Sequence, residues 1–190
     1  MLNKNKILKE FNKKVLSCKR CPEEANKNVG FGNIESSLMF VAQNPRVIKP
    51  PDNQILIYPF DLDSSPTKSG KFLLRLIRTL ELEDKYYLTN IMKCSTPKNR
   101  EPNKQEMKMC APYWKFEVQL QRPKVIIFLG KPAEQFYILF GCDILKECGL
   151  DPKIYNLWHP SYFCYQPNKI NRWLELAEMI KEDIHSVLDR

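Results

Sequence analysis

The chain has no apolar run approaching the roughly 20 residues that cross a bilayer. Its opening, MLNKNKILKEFNKKVLSCKRC, has no apolar core followed by a small-residue cleavage site. Secretion and membrane spanning are not expected from such a pattern, and a cytoplasmic, nucleoid-associated protein is. Internal repeats, low-complexity tracts and a dividing linker are also missing, so residues 1–190 are read as one domain. Acidic residues are in deficit, 22 Asp and Glu against 30 Lys and Arg, and the resulting formal charge of +8 favours a polyanionic partner such as nucleic acid. With 43% hydrophobic and 27% charged residues the composition is globular rather than disordered or fibrous. A chain of 190 residues buries a core without help from disulfides.

The apolar pattern alternates helix and strand. Helical spacing covers Leu2 to Leu16, the stretch from Gly70 (KFLLRLIRTLEL), Asn103 to Leu120 with Pro112 as a local obstacle, Lys131 to Phe140, and Asn171 to Leu188. Short apolar runs at Leu38–Ala42 (LMFVA) and Val125–Leu129 (VIIFL) read as buried strands, and Tyr86–Thr89 (YYLT) and Ile154–Trp158 as two further strands. This order predicts a three-layer α/β/α sandwich around a central, mostly parallel four-stranded sheet. Ligands of such sheets bind beyond the carboxyl ends of the strands. Those ends are followed by Gln43-Asn44-Pro45, Asn90, Gly130-Lys131 and His159-Pro160-Ser161.

Seven cysteines in a chain of this kind point to metal or cluster ligation before disulfides. Cys18 and Cys21 form a Cys-x2-Cys pair that can reach one ion around a tight turn, and Cys94 and Cys110 would pin that N-terminal segment to the body of the domain. Four thiolates suit either a tetrahedral zinc or an iron-sulfur cluster, and spacing alone does not separate the two. Cys142, Cys148 and Cys164 have no such spacing and are read as core or surface residues.

Several of these segments together resemble the iron-sulfur uracil-DNA glycosylases, family four of the uracil-DNA glycosylase superfamily. Thr89 to Pro102 (TNIMKCSTPKNREP) resembles that family's threonine-asparagine, lysine-cysteine and asparagine-arginine stretch, and PKVIIFLG at 123–130 and His159-Pro160-Ser161 follow in the same order. The resemblance implies a 4Fe-4S cluster on Cys18, Cys21, Cys94 and Cys110, with zinc as the alternative. It also implies a monomeric enzyme of DNA repair that flips a base out of DNA and cuts its N-glycosidic bond. The first motif differs: Ala42-Gln43-Asn44-Pro45-Arg46 stands where the family usually has glycine, glutamate, alanine, proline, glycine. Its asparagine before proline is similar to the mismatch-specific uracil and thymine glycosylases, where that residue positions the attacking water. Pro59-Phe60 resembles the family's base-stacking element.

The chemistry assigns roles to these residues. Cleavage leaves a sugar with oxocarbenium character and a base that gains negative charge, so a catalyst must stabilise the base anion and hold a water at the sugar. His159 is expected to donate to the base carbonyl oxygen. Asn90, with one donor and one acceptor, is expected to read a pyrimidine edge. Asn44 is expected to orient the water, Gln43 to touch base or sugar, and Phe60 to stack on the flipped base. Tyr162 and Phe163 are candidates for a wedge that fills the vacated stack, and Lys93, Lys98, Arg100 and Lys131 for phosphate contacts. Two other readings share these residues: a glycosylase for a bulkier modified phage base, and a non-catalytic iron-sulfur nucleic-acid-binding module.

Overall fold

The computed structural model describes residues 3–21, 26–45, 59–62 and 66–190. Arg46 and Lys49, and the 55–58 run that leads into Pro59, lie outside the described residues. The elements are α1 (Lys4–Leu16), β1 (Phe31–Gly32), β2 (Leu38–Ala42), α2 (Lys68–Thr79), β3 (Tyr87–Asn90), α3 (Lys104–Gln121), β4 (Val125–Leu129), α4 (Lys131–Phe136), α5 (Cys142–Glu147), β5 (Lys153–Leu157) and α6 (Ile170–Leu188).

The sheet has five strands in the order β1-β3-β2-β4-β5, one more than the four expected. The additional strand is the two-residue β1, antiparallel to β3, with Phe31 opposite Leu88 and Gly32 opposite Tyr87. Two residues, one of them glycine, give no alternation to detect. The other three pairings are parallel, and in the β2–β3 register Ala42 faces Asn90.

Both central runs are buried on both faces because each alternates between two cores. Leu38, Phe40 and Ala42 of β2 and Val125, Ile127 and Leu129 of β4 meet Leu73 and Leu76 of α2 and Trp173 and Ala177 of α6. Met39, Val41, Ile126 and Phe128 point the other way, into Trp114 and Val118 of α3, Phe136 of α4 and Leu145 of α5. Each such side chain stabilises the fold by about 1.5–3 kcal/mol, so the sandwich is held by its middle layer. The α/β/α expectation is met. Helix α1 adds to the α3 side, where Phe11 stacks on Phe116 at 4.3 Å between ring centroids.

Helix α3 runs through Pro112 without a break, although proline removes one backbone bond there. Its start is fixed by a reciprocal cap, in which the Asn103 side chain accepts from the Glu106 N–H and the Glu106 carboxylate accepts from the Asn103 N–H. The helix predicted over Lys131–Phe140 relaxes at Tyr137 into a π turn, Tyr137–Gly141, before α5 begins. Among the described residues no helix is long and apolar enough to cross a membrane.

Candidate active site

The parallel order places the ends of β3, β2, β4 and β5 in one row. Backbone bonds tie neighbours together past those ends. The Ile91 and Met92 N–H groups donate to the Ala42 and Gln43 carbonyls at 2.9 and 3.0 Å, and the Gly130 N–H donates to Leu157 at 2.8 Å. The strand ends and the segments that follow them, which carry Gln43, Asn44, Asn90, Lys131 and His159, therefore lie along one edge of the sheet.

His159 opens a short 3-10 turn, Pro160–Cys164, and its Nδ1 accepts the Ser161 backbone N–H at 3.1 Å, with the Ser161 hydroxyl 2.7 Å away. An Nδ1 that accepts carries no proton, so in the neutral ring the proton sits on Nε2. Burial pushes the imidazole down to about 4, which keeps it neutral at physiological pH. The ring lies 5.3 Å from that of Phe60, tilted by 29° in a stacked pair. Phe60 holds a left-handed backbone (φ 60°) in a turn that packs against β3 and α2. Its carbonyl accepts from the Thr67 N–H at 3.2 Å, which ties the Phe60 turn to the start of α2.

Two glycines make these approaches possible. A Cβ on Gly70 would stand 2.6 Å from the Phe60 carbonyl oxygen. Gly130 has φ +88°, and a Cβ there would stand 2.8 Å from the His159 Cβ. Gly130→Ala is accordingly expected to lower the melting temperature and to displace His159, with a fall in turnover larger than the stability loss explains. Thermal unfolding and single-turnover rates on one preparation check this.

Asn44 donates through Nδ2 to the Pro45 carbonyl at 2.8 Å and to Thr96 Oγ1 at 3.3 Å. Gln43 donates to the Arg100 carbonyl at 3.1 Å, and the Thr96 hydroxyl donates to the same oxygen. The loop after β2 is thus braced by the 96–100 segment. Asn90, 3% exposed, donates from Nδ2 to Asn28 Oδ1 at 2.9 Å. Beside it lies a charged network. The Lys93 ammonium donates to Glu117 Oε2 and Thr89 Oγ1, each at 2.6 Å, and to the Asn90 carbonyl at 2.9 Å. Tyr87 donates to Glu117 Oε1 at 3.1 Å. Three donors on the ammonium meet three acceptors, which is what a buried charge requires.

Several expectations are corrected. Lys93 is 1% exposed and touches no phosphate path, because Glu117 holds it inside. Phe163 is fully buried against Trp173, at 4.7 Å, and has no exposed surface to insert into DNA. An aromatic residue in a two-helix core serves burial first. Arg100 is not overturned in this way: its guanidinium binds both Glu106 oxygens, at 2.8 and 2.6 Å, and stays exposed. Lys98 and Lys131 are exposed. Tyr162 is half-buried, and its hydroxyl faces the Lys169 ammonium at 3.0 Å. Sequence reasoning missed Asn28, Thr96 and Glu117, which act only through tertiary contacts. Ser161 lay inside the motif already singled out.

The four cysteines come from two regions stitched together. Segment 26–28 runs against 93–95: Ser95 N–H donates to the Asn26 carbonyl at 2.7 Å, Asn28 N–H to the Lys93 carbonyl at 3.0 Å, and Lys27 bridges to Cys94. Burial pushes the Cys94 thiol up, and Cys21, Cys110 and Cys18 push it further, so all four thiols share one neighbourhood. Burial also raises Cys110, against the opposing pull of the Lys93 backbone N–H and charge. Burial acts to raise Cys18 as well, but the Tyr113 hydroxyl, Arg20 and Lys27 outweigh it and lower that thiol, which favours the thiolate a metal needs. Among the described residues no three His, Cys, Asp or Glu side chains are closed at metal-binding distances. The donor set itself, four sulfurs without a carboxylate, fits zinc or an iron-sulfur cluster. Cys164 is exposed, and Cys142 and Cys148 are half-buried on α5 and at its end.

Residues 29–181 match the family model of the uracil DNA glycosylase superfamily. The type-4 uracil-DNA glycosylase of Saccharolobus solfataricus is 31% identical over 92% of this chain and 81% of its own length. That of Sulfurisphaera tokodaii is 30% identical over 95% of this chain and 83% of its own, and that of Archaeoglobus fulgidus 27% over 84% of each. The strand-end rim and the sequence kinship agree, and this chain belongs to the uracil DNA glycosylase superfamily, in its type-4 group.

Proposed function

We propose that this protein is a monofunctional DNA glycosylase that hydrolyses the N-glycosidic bond of uracil in DNA, leaves an abasic site, and serves base repair as a monomer. The observation that carries the reading is the state of His159, a neutral imidazole whose Nδ1 is occupied by Ser161 and whose Nε2–H is the remaining donor, stacked with Phe60 at the strand ends.

The flipped base stacks on Phe60 while its edge meets the Asn90 amide. As the glycosidic bond lengthens, negative charge grows on the base, and the His159 Nε2–H donates to the carbonyl oxygen that bears it. A neutral donor suffices, since the task is to stabilise an anion and not to protonate it fully. Asn44 has its Nδ2 committed to Pro45 and Thr96, which leaves Oδ1 to accept from a water beside the sugar cation. An amide orients such a water without deprotonating it, which is enough once the cation is largely formed. Gln43 contacts the base or sugar from the same loop. Outside the pocket, Lys98 and Lys131 grip phosphates and Tyr162 stands at the vacated stack.

Cys18, Cys21, Cys94 and Cys110 would hold a 4Fe-4S cluster. When bound, that group supplies a crosslink between the N-terminal segment and the 94–110 region.

The test is a panel of oligonucleotides carrying uracil, thymine mismatches, hypoxanthine or modified pyrimidines, single- and double-stranded, read out as released base. Free uracil without added metal is the expected product. Asn44→Ala is expected to lower the cleavage rate by about 10²-fold with DNA affinity retained. No base released from any member of the panel would overturn the enzymatic reading, and release of only a bulkier modified base would move the substrate.

A further inference from the structure

Asn90 has two ways to present its amide, and only one suits uracil. A pyrimidine edge with an N–H donor beside a carbonyl needs Oδ1 toward the N–H and a free Nδ2 hydrogen toward the carbonyl, whereas cytosine offers the reverse. Something must choose the orientation, because the amide rotates freely unless a partner fixes it.

That partner is Asn28. Its Oδ1 accepts from Asn90 Nδ2 at 2.9 Å, and no described residue donates to the Asn90 Oδ1. Asn28 is itself 2% exposed and anchored by its backbone N–H on the Lys93 carbonyl at 3.0 Å. The Lys93 ammonium in turn holds the Asn90 carbonyl at 2.9 Å. One residue thus grips Asn90 from both sides, directly at the backbone and through Asn28 at the side chain. The ammonium cannot swing away, since Glu117 and Thr89 take its other two donors.

We infer that Asn28 is a specificity-determining positioning residue, which by accepting from Asn90 Nδ2 sets the amide so that Oδ1 meets the base. The inference rests on the proposed uracil excision and adds a residue that does not itself touch the base. A buried asparagine that only filled space would be served equally well by leucine; one that fixes an amide needs an acceptor oxygen.

The experiment measures competitive inhibition by free uracil, together with uracil excision and affinity for abasic-site DNA, in Asn28→Leu and Asn28→Asp. Free uracil is neutral, so a carboxylate at position 28 does not bias that readout through the charge that develops during cleavage. In Asn28→Leu, uracil inhibition and kcat/KM are expected to weaken at least roughly tenfold, the worth of one oriented hydrogen bond, while abasic-site affinity stays unchanged. In Asn28→Asp, which keeps an acceptor and has no donor, uracil inhibition is expected to return to within about threefold of the parent. Inhibition within about twofold of the parent in the leucine variant, or no recovery in the aspartate variant, overturns the inference. If the leucine variant does not fold, the aspartate variant decides alone: retained inhibition supports the inference, and its loss overturns it. A parent protein that releases no uracil fails the functional reading instead.

Discussion

Replacing His159 by leucine slows glycosidic cleavage by about 10²–10³-fold at saturating enzyme, the usual cost of removing one donor to a developing anion. Affinity for uracil-containing DNA changes little, because the donor matters most after charge has moved. The pH profile gives the same residue a sharper signature. With burial holding the imidazole at about 4, the neutral donor persists through the physiological range, and activity linked to it declines only as pH falls toward that value. Protonation would place a proton on Nδ1 opposite the Ser161 N–H, two donors facing each other. A single-turnover profile with an apparent pKa near an ordinary histidine, roughly 6.5, would contradict this. Stability moves in the same window. Between 6.5 and about 4 the unfolded chain binds a proton at His159 that the folded chain does not, so stability falls as pH drops through that window, by up to roughly 3 kcal/mol at its lower end. His159→Leu lacks this component. Denaturant unfolding of both proteins at several pH values therefore separates it from the carboxylates, which are common to the two.

The second large effect concerns the thiols. Cys94→Ser removes a thiol proposed above as a cluster ligand, one that is 2% exposed and central to the four-sulfur neighbourhood. Metal binding at such sites contributes on the order of 10 kcal/mol to folding, comparable to the whole stability of a domain. Purified Cys94→Ser should lose absorbance at roughly 400 nm if the group is iron-sulfur, and its melting temperature should fall by more than about 10 °C. Limited proteolysis should then cut at residues 26–28, the segment stitched to 93–95. Cys164→Ser, on an exposed thiol, is the matched control and leaves all three readouts unchanged. A Cys94→Ser protein with parental melting and colour would remove the structural role. Colourless parental protein containing zinc would leave the stability result in place and change the metal.

What the sequence made legible follows from how local each signal is. The runs at 38–42 and 125–129 are buried on both faces, so unbroken apolar residues marked them directly. The strand-end asparagines and His159 followed, because a parallel sheet fixes where its loops gather. Lys93 was misread because a lysine in a polar stretch ordinarily faces water, and its partner Glu117 sits on α3, 24 residues later in the chain. Phe163 was misread for the opposite reason: its neighbours in the motif are functional, while its own side chain belongs to the core around Trp173. Asn28 left no trace at all, since its importance lies in one hydrogen bond across 62 residues of chain.

The sheet order has a consequence for biosynthesis. β5 is both the last strand in the chain and the outermost on its side, and His159 follows it directly. As the ribosome delivers the chain, Cys18, Cys21, Cys94 and Cys110, Asn44, Asn90 and Phe60 emerge well before the histidine. On the proposed mechanism, competence to excise a base arrives only when the final strand docks and brings His159 to the site.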